Sequence, residues 1–141
     1  MFLLDTNVLS ELRRQSSNRA NPHVVAWSST ADPETTFLSV ITLMELEIGV
    51  TRIERRDPIQ GRGLRQWFDD QIVPAFAGRI LDIDVTIARR CGPLHVPDRR
   101  PTGDALIAAT ALVHGLTVVT RNTADFAPMG VPLLNPWEPQ V

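Results

Sequence analysis

Met1-Phe2-Leu3-Leu4-Asp5-Thr6-Asn7 opens the chain with a short apolar run of buried-strand type that stops on an acid. Two further runs repeat the arrangement. Thr36-Phe37-Leu38-Ser39-Val40-Ile41 stops at Thr42, just before Glu45, and Leu116-Thr117-Val118-Val119-Thr120 ends at Arg121-Asn122-Thr123-Ala124-Asp125-Phe126. A fourth acid, Asp104, follows Pro101-Thr102-Gly103 and opens an apolar helical pattern over 105–113 that Gly115 ends. With a strand near 79–82 and another near 131–134, β and α segments alternate over short connections, which predicts an α/β fold with a parallel sheet covered on both faces. Ligand sites in such sheets lie beyond the carboxyl ends of the strands. Asp5, Glu45, Asp104 and the Asn122/Asp125 pair are therefore expected at one mouth.

Each acid also has a purely structural reading. Thr42-Leu43-Met44-Glu45 fits a capping box, Asp104 suits the first turn of a helix, and Asp5 can cap the helix that begins near Asn7. Together they point elsewhere. Carboxylates about 5 Å apart repel by roughly 3 kcal/mol at an effective dielectric near 20, a cost that capping does not require and a bound cation offsets.

Asp5-Thr6-Asn7-Val8-Leu9-Ser10-Glu11, Thr42-x-x-Glu45-Leu46-x-x-Gly49, Asp104-Ala105-Leu106-Ile107-Ala108-Ala109 and Thr120-Arg121-Asn122-x-x-Asp125-Phe126 occur in this order. The set resembles PIN-domain ribonucleases, nearest to the VapC-type toxins of VapBC toxin–antitoxin pairs and their FitB-like branch. The resemblance spans Met1 to about Pro136. It implies a PIN-like three-layer α/β/α sandwich around a mostly parallel sheet of about five strands, and one PIN domain over 1–141. It also implies a metal-dependent endoribonuclease, a cognate VapB-type antitoxin whose C-terminal segment occludes the active site, and a homodimer.

The expected cofactor is Mg²⁺, with Mn²⁺ possible, because hard cations take oxygen ligands and keep several waters. Such an ion lowers the pKa of a water, orients it for in-line attack and stabilises the leaving oxygen, so no protein nucleophile is needed. Asp5 and Asp104 are the expected direct ligands. Glu45 binds directly or through water, and Asp125 is the fourth acid, with Asn122 filling a neighbouring position or orienting a water. Thr6, Asn7 and Thr120 are expected to orient these groups by hydrogen bonding.

The 141 residues, 43% hydrophobic, can bury roughly two-thirds of their unfolded surface in one core. Cys91 is the only cysteine, which excludes an internal disulfide, and His23, His95 and His114 do not pair with it at zinc-site spacing. No apolar run approaches membrane-spanning length, and Met1 to Leu4 lacks the basic flank of a signal peptide. A cytoplasmic protein without membrane attachment is expected.

Net charge is −2, and every basic residue is arginine. Nonspecific coating of nucleic acid is thereby excluded, and contact with an RNA substrate falls to local patches. Arg13, Arg14 and Arg19 form one patch, and Arg52, Arg55, Arg56, Arg62 and Arg65 another; Arg13, Arg14 and Arg121 are the expected substrate contacts, since the guanidinium fork suits phosphate oxygens.

An amphipathic stripe at Leu64, Trp67, Phe68 and Ile72 predicts a helical stretch from Pro58 whose firm start is delayed to Leu64 by Gly61 and Gly63. A groove between the helices after Asn7 and Thr42, with Leu9, Leu12, Leu46, Ile48, Val50 and Ile53, suits an amphipathic partner helix. The tail over 135–141 reads as an irregular cap in which Trp137 packs.

Two other readings compete. Asp82-Ile83-Asp84-Val85-Thr86 matches the Asp-x-Asp-x-Thr signature of haloacid-dehalogenase-like phosphatases, with Asp82 as nucleophile and Asp84 as acid/base. Little chain follows it, no lysine is present to hold phosphate, and the other acids stay unexplained. The alternative from a different class is a catalytically silent PIN-like module that binds RNA or protein, against which stands the presence of Asp5, Glu45 and Asp104.

Overall fold

The computed structural model describes residues 1–140; Val141, the last residue of the expected cap, lies outside them. Five strands, β1 (Phe2–Leu4), β2 (Thr36–Ser39), β3 (Ile80–Leu81), β4 (Thr117–Val119) and β5 (Leu133–Leu134), form one sheet in the order β3-β2-β1-β4-β5. Every pairing is parallel, with Leu3 opposite Phe37 on one side and Val118 on the other. The chain builds outward from β1 to β3 and then crosses to β4, so strand order reverses between β1 and β4. That reversal opens the crevice in which doubly wound sheets hold ligands.

Alternation along the strands sends residues to two cores. Leu3 and Val118 face a layer with Ile87, Ala105, Ile107, Ala108, Ala109 and Phe126, whereas Leu4, Leu38 and Val119 face Val8, Leu9, Trp27, Leu46, Val50 and Phe68. The first layer is made by α6 (Val85–Cys91), α7 (Thr102–His114) and the short α8 (Thr123–Phe126); the second by α1 (Thr6–Arg13), α2 (Pro22–Thr30), α3 (Val40–Arg56) and α4 (Pro58–Gln66). The expected three-layer sandwich is the observed one. The short α5 (Val73–Ala75) ends a helical stretch that continues from α4 through a wide turn over Trp67–Ile72.

Most junctions follow from local chemistry. Asn21 caps α2 by accepting from the His23 N–H at 2.9 Å, Pro22 occupies its first position, and Gly115 closes α7 in the left-handed region at φ 69°. Small side chains on α7 let it lie close against β1 and β4, and Phe126 fills the space beyond them with no exposed surface. Removing such a ring costs about 3–5 kcal/mol.

Two sequence expectations fail for identifiable reasons. Helix α3 begins at Val40, not Thr42, because Ser39 is the cap, its hydroxyl accepting from the Ile41 N–H at 3.0 Å. Thr42 is then fully buried inside the helix, and Glu45 is no part of a capping box. Helix α4 begins at Pro58, where the helical stretch is expected to start, and capped by Asp57 it is regular from there instead of only from Leu64. Gly61 does not weaken that turn: a Cβ there would lie 2.4 Å from the Cα of Glu54, so the missing side chain is what lets α4 pack on α3.

Candidate active site

Asp5 stands at the end of β1, where its backbone N–H continues the ladder to the Val119 carbonyl at 2.9 Å. Its Oδ1 caps α1 by accepting from the Thr6 N–H at 2.8 Å, and its Oδ2 accepts from the Thr120 hydroxyl at 2.8 Å and from Asn7 Nδ2 at 3.4 Å. The capping role and the cleft role therefore coexist in one carboxylate. Thr120, fully buried, is itself held by Asn7 Nδ2 at 3.3 Å and by the Asn122 N–H at 3.0 Å. One polar network thus locks the ends of β1 and β4.

Glu45 lies in the second turn of α3, more open to solvent, and its Oε1 accepts from the Thr6 hydroxyl at 3.1 Å. Asp104 comes from the first turn of α7. These three acids line one cleft of about 440 Å³ together with Asn122, Arg14 and Arg121. Asp125, in α8, is exposed and lies outside the lining but close enough to act electrostatically on Asp5 and Asp104.

The charges are not balanced. Burial pushes the Asp5 carboxyl above the ordinary range despite the hydrogen bonds from Thr120 and Thr6, and Asp125 pushes the same way. Partial burial raises Glu45 against the pull of Thr6, with repulsion from Asp5 and Asp104 added, and burial raises Asp104 with repulsion from Asp5 and Asp125. Among the described residues no arginine forms an ion pair with any of the four.

An all-oxygen donor set with uncompensated negative charge fits a hard divalent cation. Among the described residues no group of three or more acid, histidine or cysteine side chains is arranged to hold a metal ion. A cation held here would take fewer than three of these side chains directly and complete its shell with water, as Mg²⁺ does.

The other expected positions divide. Arg14 and Arg121 line the cleft, whereas Arg13 lines the neighbouring groove between α1 and α3. Arg65 is withdrawn from the second arginine patch: it donates to Glu47 at 2.7 Å and to Glu54 at 2.9 and 3.2 Å, clamping α4 to α3. Asp84 caps α6 by accepting from the Ile87 N–H at 2.9 Å, and Asp82 is exposed beside edge strand β3. Neither faces the cleft, and the phosphatase reading is overturned.

Ser10, Glu11 and Trp137 also line the cleft and were not expected there. Helical spacing held a signal for the first two, since Ser10 and Glu11 stand one turn after Thr6 and Asn7. Glu11 is buried and accepts from the Asn21 N–H at 3.0 Å and from Arg14 at 3.4 Å, tying the start of α2 to the cleft wall. Nothing in the sequence pattern marks Trp137.

Comparison with known proteins gives the same picture. The PIN domain family model matches residues 2–130. The chain is similar to VapC ribonuclease Y4jK of Sinorhizobium fredii, 38% identical with 99% of each chain covered. It is also similar to Toxin FitB of Neisseria gonorrhoeae, 40% identical over 97% of this chain and 99% of that one. Among solved structures, FitAB bound to an IR36 DNA fragment superposes with a TM-score of 0.90 at 35% identity, covering 100% of this chain and 99% of that chain.

Proposed function

The chain belongs to the PIN domain family, and from that premise we propose that it is a metal-dependent endoribonuclease acting as the toxin of a type II toxin–antitoxin pair. The observation that carries the reading is the cleft at the β1/β4 crevice, where Asp5, Glu45 and Asp104 from three separate elements present carboxylates that no arginine neutralises. The relatives with ribonuclease and toxin names match over nearly their whole length.

Asp5 and Asp104 would hold the cation directly, Glu45 through water, and Asp125 through water from the rim, with Mg²⁺ as the resident ion and Mn²⁺ as a substitute. When bound, the ion supplies charge neutralisation for phosphodiester hydrolysis and a water of lowered pKa. Thr6, Asn7 and Thr120 keep Asp5 and Glu45 in place by the hydrogen bonds described. Arg14 and Arg121, both in the lining, would meet the phosphate chain of the RNA, and Arg13 would meet strand lying over the adjoining groove. Asn122, whose N–H is fixed on Thr120, orients a water or fills a neighbouring ligand position.

The groove between α1 and α3, about 320 Å³ and lined by Leu46, Val50, Ile53, Leu64 and Trp67, shares Thr6, Ser10 and Glu45 with the cleft. It is the seat proposed for an amphipathic segment of a VapB-type antitoxin, placed so that its occupant reaches the carboxylates. Exposed Met44 and Ile48 on α3 support a homodimer. No described helix is long and apolar enough to cross a membrane, and one PIN domain over 1–141 in the cytoplasm is the proposed form. The test is cleavage of a pooled small-RNA substrate by antitoxin-free protein. Cutting that EDTA stops and Mg²⁺ or Mn²⁺ restores supports the function; metal-independent cutting, or none by folded protein, contradicts it.

A further inference from the structure

Trp137 is a wall of the carboxylate cleft that the chemistry above leaves unused. The half-buried ring packs against the core cluster that includes Leu4, Leu38 and Val119. The tail that carries it is folded on itself: the Trp137 N–H donates to Asn135 Oδ1 at 3.0 Å, and Gln140 Nε2 donates to the carbonyls of Asn135 and Glu138 at 3.0 and 2.7 Å. Packing on that core is what positions the indole.

Over it lies the guanidinium of Arg121, 5.4 Å from the ring centroid. Arg121 shares the cleft with Asp5, Glu45 and Asp104, yet among the described residues it forms no ion pair with them. Its own N–H is held by Asn7 Oδ1 at 3.3 Å, so its backbone is registered to the same network that fixes Asp5. A cation set on an aromatic ring instead of on adjacent carboxylates leaves those carboxylates open and puts a guanidinium and an indole, both planar groups, together at the cleft edge.

Flat surfaces of this kind hold unpaired bases. RNA bound outside a duplex splays its bases onto aromatic rings and arginine planes, whereas a paired base is already stacked within its helix. We propose that Trp137 and Arg121 form a stacking platform for one unpaired RNA base next to the phosphate held over the carboxylates. The inference rests on the ribonuclease reading and assigns to this residue pair the contact with an unpaired base beside the cut. Stacking tolerates any base, so the platform selects for strand state more than for sequence.

The test measures binding to the full-length Asp5→Asn protein, free of antitoxin and unable to cut. The probes are a fluorescein-labelled oligoadenylate and an abasic ribose-phosphate oligomer of equal length and charge. The expected result is a preference of roughly tenfold or more for the oligoadenylate. Trp137→Leu removes the preference and leaves abasic binding unchanged, and Trp137→Phe keeps most of it. Equal affinity of the two oligomers for the Asp5→Asn protein overturns the platform even if the Leu variant fails to fold. So does a Leu variant that weakens both oligomers alike, which marks a structural ring. If RNA is cut by the wild type while these results appear, the platform alone falls; if RNA is neither bound nor cut, the ribonuclease reading falls with it.

Discussion

The hydroxyl of Thr120 donates a 2.8 Å hydrogen bond to Oδ2 of Asp5, joining the ends of β4 and β1 across 115 positions of sequence. The bond spans the crevice where strand order reverses, and it holds a buried carboxylate whose ionised form is otherwise disfavoured. Thr120→Val is expected to cost about 1.5–3 kcal/mol, the range for a hydrogen bond to a charged group. It should also weaken Mn²⁺ binding roughly tenfold to a hundredfold. Thr120→Ser restores both. Urea denaturation and calorimetry read the two effects, and a valine variant that binds Mn²⁺ as tightly as wild type contradicts the positioning role.

Burial of the cleft acids, with repulsion between them added, gives a pH dependence with a defined sign. Asp5, Glu45 and Asp104 bind protons more tightly in the folded protein than at their ordinary values of 3.8, 4.5 and 3.8. Metal-free stability is therefore lost as pH rises from those values through the raised ones, and below them the contribution is fully present. Asp104→Asn removes one charge. In EDTA near pH 8 this variant should melt at or above the wild-type temperature, with its advantage shrinking as pH falls toward about 4. Excess Mn²⁺ should reverse the order by stabilising only the wild type. A wild type that outlasts Asp104→Asn in EDTA would show that the acids do not strain the fold.

The arginines separate by what they touch. Arg65 is committed to Glu47 and Glu54, whereas Arg121 lines the cleft without an ion pair among the described residues and Arg14 lines it while pairing with Glu11 at 3.4 Å. Arg14→Gln and Arg121→Gln should each weaken RNA binding and lower the slope of log affinity against log salt by about 0.7, one phosphate contact on a single strand. Arg65→Gln leaves the slope unchanged. Equal slopes for all three variants would remove the assignment.

Close approach of α3 and α4 depends on Gly61. With Glu54 Cα only 2.4 Å from an added Cβ, Gly61→Ala must push the helices apart, at a cost of about 1–3 kcal/mol. Gly63, with nothing within 4 Å of its Cβ position, should accept alanine with a gain of roughly 0.5–1 kcal/mol. Denaturation midpoints decide this, and two substitutions of equal effect would contradict it.

The strands, and Asp5 at the end of the first, were legible in the sequence because both are local signals: an apolar run, and a carboxylate where it stops. Features set by tertiary contact were not. Thr42-x-x-Glu45 has the form of a capping box, but Ser39 starts the helix three residues earlier, which moves Glu45 into the second turn and onto the cleft. Gly61 looks like a helix breaker until Glu54 is placed against it. The strand order and the approach of Trp137 to Arg121 join residues without any shared periodicity. Asn122 and Asp125 flank one helix start, and only the fold puts the amide in the lining and the acid at the rim.

The central claim is that the carboxylates in the cleft carry out RNA hydrolysis. It is tested most directly by cleavage rates of wild type, Asp5→Asn and Asp104→Asn on the same RNA in Mg²⁺ or Mn²⁺, with circular dichroism melts on each protein. Both variants should keep the wild-type fold and lose cleavage, since each substitution preserves the shape of the side chain and removes its charge. Metal-dependent cleavage that survives in either folded variant would contradict the assignment.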